Sequence, residues 1–497
     1  MDLLLGFNAA LSLTNLLYCL TGVTFGMLVG VLPGLGPSAG TAILLPLTFG
    51  MEPVSAIIML AGIFYGAMYG GTITSVLINT PGEAASAITC IDGYALAKQG
   101  RAGTALGVAA IGSFIGGTIA IACLAFIGPS IARIALKFGP PEFFALMTMG
   151  LTLVIGLIGS SVLRGLLAAF FGLTLAMIGM DPMTGYVRFT FGILELVNGL
   201  DFIPLVMGLF GISEIMLSIE SDLKSIKPPK ITKLLPRKEE WKPMMAAVLR
   251  GTGVGCILGL IPGTSAVIPT LMSYSLEKKI AKDPSRFGKG AIEGVAGPET
   301  ANNAFSGAAL IPLFTLGIPT SPTIAILLGA FIMHGLMPGP QLFQKNPEFV
   351  WTVIASMFIG NIILVIMNLP LAGMWAKLLE LPYKLLFPIV VAICIVGAYS
   401  VNNSMFDVGI MIVFGIIGYL FKKIDIPIAP VVLTFVLGRL MEDALLQSLT
   451  IYRGDFFAIF SRPVAGPLMV ISMAIFIASV YAGIKNKRSS LPTDVEM

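Results

Sequence analysis

The chain has 497 residues, of which 56% are hydrophobic and only 11% charged, with a mean hydropathy of +0.94 and a formal net charge of +4. So little polar surface cannot cover a soluble globule of this size, which excludes a water-soluble protein and predicts an all-α polytopic membrane protein. Five cysteines, Cys19, Cys90, Cys123, Cys256 and Cys394, lie far apart without metal-type spacing and read as packed thiols.

The amino terminus, MDLLLGFNAALSLTNLLYCL, has no basic segment ahead of its apolar part, so it reads as the first membrane element rather than a cleaved signal. Charge-free runs follow at 3–51, 53–82, 102–132, 300–344, 349–376, 408–421 and 463–484. One crossing needs about 20 apolar residues, so these runs and the shorter ones predict about ten to fourteen crossings or half-crossings. The first run is interrupted by "LPGLGPSAG", and the second meets Thr80-Pro81-Gly82-Glu83 in "LINTPGEAASAIT".

The most polar segment, "ESDLKSIKPPKITKLLPRKEEWK" at 220–242, carries prolines and lysines without an apolar period and reads as an exposed linker. It separates a first membrane repeat, 1–219, from a second, 243–484, followed by a tail, 485–497. The halves correspond: Gly30-Val31-Leu32-Pro33-Gly34 matches Gly259-Leu260-Ile261-Pro262-Gly263 at an offset of 229 residues, and Thr80-Pro81-Gly82 matches Ile318-Pro319-Thr320 at 238. Each half therefore has two proline-glycine breaks in the same order, near 33–37 and 80–83 in the first and near 262–265 and 317–322 in the second. Corresponding loops differ in basic content. "FGMEPV" has none where Leu276 to Gly290 has Lys278, Lys279, Lys282, Arg286 and Lys289, and the bias reverses after the second break. Basic loops stay cytoplasmic, so the repeats are expected to be inverted, with linker and tail in the cytoplasm and the first residues outside.

A broken helix survives in hydrocarbon only where it is buried in protein or lines a wet cavity, so each break is a candidate site. The N–H groups of a half-helix start favour an anion, while freed carbonyls and Ser, Thr or Asn oxygens hold a cation such as sodium. Gly34, Gly36, Ser38, Thr80, Pro81, Gly82, Gly263, Thr264, Ser265, Pro319, Thr320 and Ser321 are the candidate substrate-binding residues. Asn79, Thr80, Glu83, Ser86, Asn302, Asn303, Gly317 and Thr320 are the candidate cation-binding residues, with Thr323 adding a hydroxyl at the last break. Glu83 reads either as a cap on the following helix or as a coupling carboxylate inside the membrane. Arg188 reads as a loop anchor, with a contact to the substrate anion as the alternative.

The segments "GVLPGLGPSAGTAILLPLTFG", "AGIFYGAMYGGTITSVLINTPGEAASAITCIDGYALAKQGRAGTALG", "GKGAIEGVAGPETANNAFSGAALIPLFTLGIPTSPT" and "GLMPGPQLF" closely resemble the large membrane subunit of the tripartite tricarboxylate transporters, the TctA family. The likeness continues through "RFTFG", "GLFGISE", "NNSMFDV", "DIPIAPVVL" and "FSRPVAGPL", over nearly the whole chain. The resemblance implies secondary active uptake of a carboxylate across the bacterial cytoplasmic (inner) membrane. It also implies two partners, a small four-helix membrane subunit and an extracytoplasmic solute-binding protein, and no cofactor. The coupling ion is expected to be Na+, with H+ as the alternative. Where the family often has a smaller glycine-rich turn, this chain has "PGTSA" at Pro262 to Ala266, whose hydroxyls bear on substrate preference. An elevator-like movement of the hairpin core is expected by analogy with other carriers having paired re-entrant hairpins.

Two rival readings come from other classes. An anion channel would need a continuous pore, which paired interruptions suit less well than alternating access. Gly36-Pro37-Ser38-Ala39-Gly40 fits the G-x-S-x-G nucleophile pattern, and an intramembrane serine hydrolase would have to pair Ser38 with His334, the single histidine. No phosphate-loop motif is present in the sequence.

Overall fold

Glycines at four-residue intervals decide how the long helices pack. Gly22, Gly26 and Gly30 line one face of helix Leu13–Val31 and press on the backbone of helix Pro53–Ile78, where a Cβ at each would come within 2.2, 2.5 and 2.3 Å of the carbonyl oxygens of Met59, Ile63 and Ala67. Gly251, Gly255 and Gly259 of helix Trp241–Gly259 do the same to helix Glu293–Ala308, with would-be distances of 2.4, 2.4 and 2.9 Å from the carbonyl oxygens of Gly297, Ala301 and Phe305. The glycine sets are offset by 229 residues and their partners by 238, the same two offsets that relate the proline-glycine breaks. Between apolar helices, van der Waals contact at close approach replaces the hydrophobic drive that lipid cannot supply.

The computed structural model describes residues 2–157, 161–181, 184–220, 229, 231, 233–379 and 383–489. Residues 221–228, 230 and 232 of the expected linker and 490–497 of the tail lie outside the described residues. Among the described residues the chain is largely helical, with one two-stranded antiparallel pair, Gly179–Met180 against Val187–Arg188. Six helices are long and apolar enough to cross a membrane, and five shorter apolar ones accompany them among the described residues. The chain is a multi-pass membrane protein.

Two compact units form, and each draws on both halves of the sequence. The first comprises Met1–Arg133, Ile203–Ile261 and Ser265–Tyr419, the second Ile134–Phe202, Pro262–Thr264 and Leu420–Met497. In the first, helices 53–78 and 293–308 form the centre, and every residue of the latter is buried. Phe314, Phe331 and Phe349 pack edge to face nearby, with ring centroids 5.3 and 5.6 Å apart for the two perpendicular pairs. The long second-half loop is fastened by Asp92, whose Oδ1 accepts the backbone N–H groups of Gly288, Gly290 and Ala291 at 2.9, 2.7 and 2.8 Å. Its Oδ2 accepts the Tyr274 hydroxyl at 3.0 Å. In the second unit, Gly172 of helix Val162–Ala176 sits against Val431 and Thr434 of helix Ile428–Ile451, and Arg462 pairs with buried Glu142 at 2.8 Å.

Gly26→Ala and Gly255→Ala are expected to lower stability by about 1–3 kcal/mol, because the added methyl must push two backbones apart. Gly253, on the same helix as Gly255, has nothing within 4 Å of a would-be Cβ, so Gly253→Ala is expected to be neutral or slightly stabilising. Thermal unfolding of the three purified variants checks the order.

Candidate functional site

The second breaks of the two halves have the same backbone. Helix 53–78 ends with Asn79 in the left-handed conformation (φ 57°), and helix Leu310–Leu316 ends with Gly317 in the same region (φ 71°). Four residues further on, Glu83 (φ −138°, ψ 163°) and Ser321 (φ −144°, ψ 166°) are both extended caps of the next helical segment. The helices beyond, Ala87–Lys98 and Pro322–Met333, have 12 residues each. Such a helix is about 18 Å long and falls short of the roughly 30 Å hydrocarbon core, so each is a half-crossing by length.

Two helix starts converge in the first unit. Pro37 begins helix Pro37–Leu44 and Pro322 begins helix 322–333, each ring occupying a first-turn position where no N–H is needed. Ser38 and Thr323, the second residues of those helices, touch through their hydroxyls at 2.8 Å. Ser321 caps the second helix by accepting the Ile324 N–H at 3.4 Å. Gly36, at φ 21°, precedes the first helix, and nothing lies within 4 Å of its would-be Cβ. The positive ends of two half-helices therefore meet at the Ser38–Thr323 contact, with open space at Gly36, an arrangement suited to an anion.

A second polar cluster lies inside the unit, and carboxylates from both halves build it. Asn302 Nδ2 donates to Glu83 Oε1 at 2.6 Å. Thr72 donates to Glu299 Oε2 at 2.6 Å, and Thr89 donates to Glu299 Oε1. The Ser75 and Ser86 hydroxyls lie 2.9 Å apart, and Ser86 also donates to the Glu83 carbonyl at 2.9 Å. Asn303 Nδ2 donates to Ser113 at 2.7 Å and to the Glu299 carbonyl at 3.1 Å. Glu83 is 6% exposed and Glu299 1%, and no Lys, Arg or His pairs with either carboxylate among the described residues. The Oδ1 atoms of Asn302 and Asn303 are buried without a hydrogen-bond partner.

The structure brings together Ser38, Ser321 and Thr323 at one point and Glu83, Ser86, Asn302 and Asn303 at another. Thr320 is fully buried and turned to the Ala309 carbonyl at 3.4 Å, while Thr80 is half-buried and bonds the Ile78 carbonyl at 3.3 Å. Gly82 packs into the interior, its would-be Cβ 2.2 Å from the Gly30 carbonyl oxygen, whereas Asn79 stands exposed. Gly34 (φ 91°) adjoins the Ser218 hydroxyl. Ser265 is exposed and belongs to the first unit, but Gly263 and Thr264 belong to the second, where Gly263 presses on the Val154 backbone. Arg188 anchors its loop, also in the second unit, bonding Glu442 at 2.7 and 3.2 Å. Ser38 and His334 do not form a dyad. The hydroxyl of Ser38 is engaged by Thr323, and His334 Nε2 lies 3.4 Å from Thr48 Oγ1. All five cysteines are free thiols.

Sequence reasoning missed Glu299, Thr72, Thr89 and Ser113. Glu299 had a legible signal, since a carboxylate beside the charge-free run 300–344 is as unusual in a membrane as Glu83. It stood at the edge of that run and so resembled a loop residue. The threonines and serine carried none, because hydroxyls are common in membrane helices and only the fold turns these towards a carboxylate.

The tripartite tricarboxylate transporter TctA family model matches residues 16–433. A protein of Agrobacterium vitis described as an uncharacterized 52.8 kDa protein in the TAR-I ttuC' 3' region is 46% identical over 492 residues, 99% of this chain and 98% of that protein. Another from the same organism, an uncharacterized protein in the TAR-II ttuC' 3' region, is 46% identical over 237 residues, 48% of this chain and 98% of that protein. No solved structure matches the chain.

Glu299→Gln keeps an acceptor for one threonine and offers an amide to the other, whose hydroxyl can rotate to accept. Glu299→Ala leaves both threonines without that partner and opens a cavity. The expected order of thermal stability is Glu299→Gln above Glu299→Ala, with a gap of about 1–3 kcal/mol, measured by unfolding of the purified chain.

Proposed function

As the chain belongs to the tripartite tricarboxylate transporter TctA family, we propose that it performs secondary active uptake of a tricarboxylate or related carboxylate in the bacterial cytoplasmic membrane. It does so as the large transmembrane subunit, with a small four-helix membrane subunit and an extracytoplasmic solute-binding protein that delivers the substrate. Sodium is the coupling ion.

The observation that carries this reading is the meeting of two half-helix starts at Ser38 and Thr323, 2.8 Å apart. Backbone N–H groups and hydroxyls there meet a substrate carboxylate without a basic side chain, so the ligand can leave as readily as it enters. Ser321 and Gly36 complete the substrate surface, and Thr80, Pro81 and Gly82 hold the equivalent break in the first half. The buried carboxylates Glu83 and Glu299 supply the negative charge that a co-transported cation offsets, since uncompensated charge inside a membrane protein is costly. The glycine-stripe packing that recurs at offsets of 229 and 238 residues supports two related halves. We take these as inverted repeats, whose broken hairpins carry the site past a scaffold in an elevator-like movement with alternating access.

The experiment is uptake of a labelled carboxylate panel into vesicles containing this chain and its two partner subunits, under a sodium gradient and then a proton gradient alone. Accumulation should require the sodium gradient and the binding protein. Accumulation on the proton gradient alone would overturn sodium coupling, and no accumulation with assembly and orientation verified would overturn the carrier reading. Ser38→Ala and Thr323→Val should each raise KM about tenfold or more, the loss of one hydrogen bond to a charged ligand. Thr80→Val and Thr320→Val should impair uptake without preventing membrane insertion.

A further inference from the structure

A small cavity of about 20 Å³ lies in the first unit between helices 53–78, 102–135, 293–308 and Pro347–Asn368. A single water-sized body needs about 10–15 Å³, so the cavity has room for one such body. Its polar walls are Tyr65, Tyr69, Asn303, Ser306 and Asn361.

The protons on those walls are largely committed elsewhere. Tyr69 donates to Asn361 Oδ1 at 2.5 Å, and Ser306 donates to the Asn303 carbonyl at 2.8 Å. Asn361 Nδ2 donates to the Phe114 carbonyl at 3.0 Å and to Thr118 at 2.9 Å. Asn303 Nδ2 is used by Ser113 and the Glu299 carbonyl, and the second of these, an obligate acceptor, fixes the amide's orientation. Lone pairs remain: those of Tyr69, Ser306 and Asn303 Oδ1, the last buried with no hydrogen-bond partner in a residue 2% exposed. The buried Tyr65 hydroxyl has no oxygen or nitrogen partner.

Glu299 lies one helical turn before Asn303, and its partner Thr72 lies one turn after Tyr69, so a carboxylate stands a turn away from this acceptor-rich pocket. A proton on Glu299 would remove the cost of a buried charge, and a water would satisfy Asn303 Oδ1. A single bare cation would meet both demands at once.

We propose that this cavity binds one dehydrated alkali-metal cation, Na+, through Asn303 Oδ1 and the hydroxyl oxygens of Tyr69 and Ser306, with Glu299 supplying the neutralising charge. Neutral oxygen ligands and a single nearby carboxylate suit a monovalent ion, whereas divalent sites gather several carboxylates. No group of three His, Cys, Asp or Glu residues able to hold a metal occurs among the described residues. The site deepens the sodium-coupled reading, and its role in transport rests on that reading; binding itself does not.

The test is thermal unfolding of the purified full chain in lipid nanodiscs, titrated with NaCl, KCl or choline chloride at constant ionic strength. NaCl alone should raise Tm saturably, as expected for a ligand bound only by the folded state. Asn303→Ala, Ser306→Ala and Tyr69→Phe should each weaken the apparent Na+ affinity about tenfold or more, and Gly253→Ala should leave it unchanged. Should Asn303→Ala not fold, Tyr69→Phe and Ser306→Ala decide the matter. Equal responses to choline and Na+, or wild-type titration by the cavity variants, would overturn the site. So would loss of the Na+ response in Ser38→Ala alone, which would move the ion to the helix starts. A Na+ response that survives alongside failed vesicle uptake would overturn the carrier reading and leave this site standing.

Discussion

Two buried carboxylates, each bound by the opposite half of the chain, organise the first unit. Glu83, from the first half, accepts from Asn302 in the second, and Glu299, from the second, accepts from Thr72 and Thr89 in the first. In a low-dielectric interior a carboxylate left without such partners is expensive, so these bonds fix how helices 53–78, 87–98 and 293–308 sit against one another. No basic side chain pairs with either carboxyl group among the described residues. On our reading these two groups make the unit responsive to a cation.

Close backbone approach makes this geometry possible. The stripes Gly22, Gly26, Gly30 and Gly251, Gly255, Gly259 let each outer helix settle onto a central helix without intervening side chains. The central helices are then joined directly, Thr72 of one donating to Glu299 of the other. Asp92 performs a related task at the loop 288–291, where one carboxylate oxygen gathers three N–H groups that a turn would otherwise leave unpaired.

The breaks give the unit its second chemistry. Left-handed residues at Asn79 and Gly317 end one helix, an extended residue follows at Glu83 and Ser321, and a half-length helix begins. Equivalent backbone positions thus carry a carboxylate in one half and a hydroxyl in the other. The carboxylate is turned inward to Asn302, while the hydroxyl caps a helix start beside Ser38. One backbone device thereby serves an interior charge in one half and, as we propose, an anion in the other.

The membrane class and the places where helices end at the Pro and Gly breaks were legible in the sequence, because each depends on local properties. Charge-free length reports partition into lipid, and Pro and Gly report where a helix cannot continue. The family, too, was legible in contiguous motifs. Which side chains meet was not. Ser38 and Thr323 are 285 residues apart, and Thr72 and Glu299 are 227 apart. Nothing in either local pattern distinguishes a hydroxyl facing a carboxylate from one bonding its own helix, as Thr315 and Thr434 do. The assignment of Gly263 and Thr264 to the second compact unit was equally hidden, since it follows from the packing of Gly263 on Val154 and not from the turn itself. The sequence by itself determined where the chain breaks and what chemical groups each break offers. Only the tertiary structure decided which groups share a site, because that depends on the helix packing the glycine stripes permit and on the partners that buried polar atoms require.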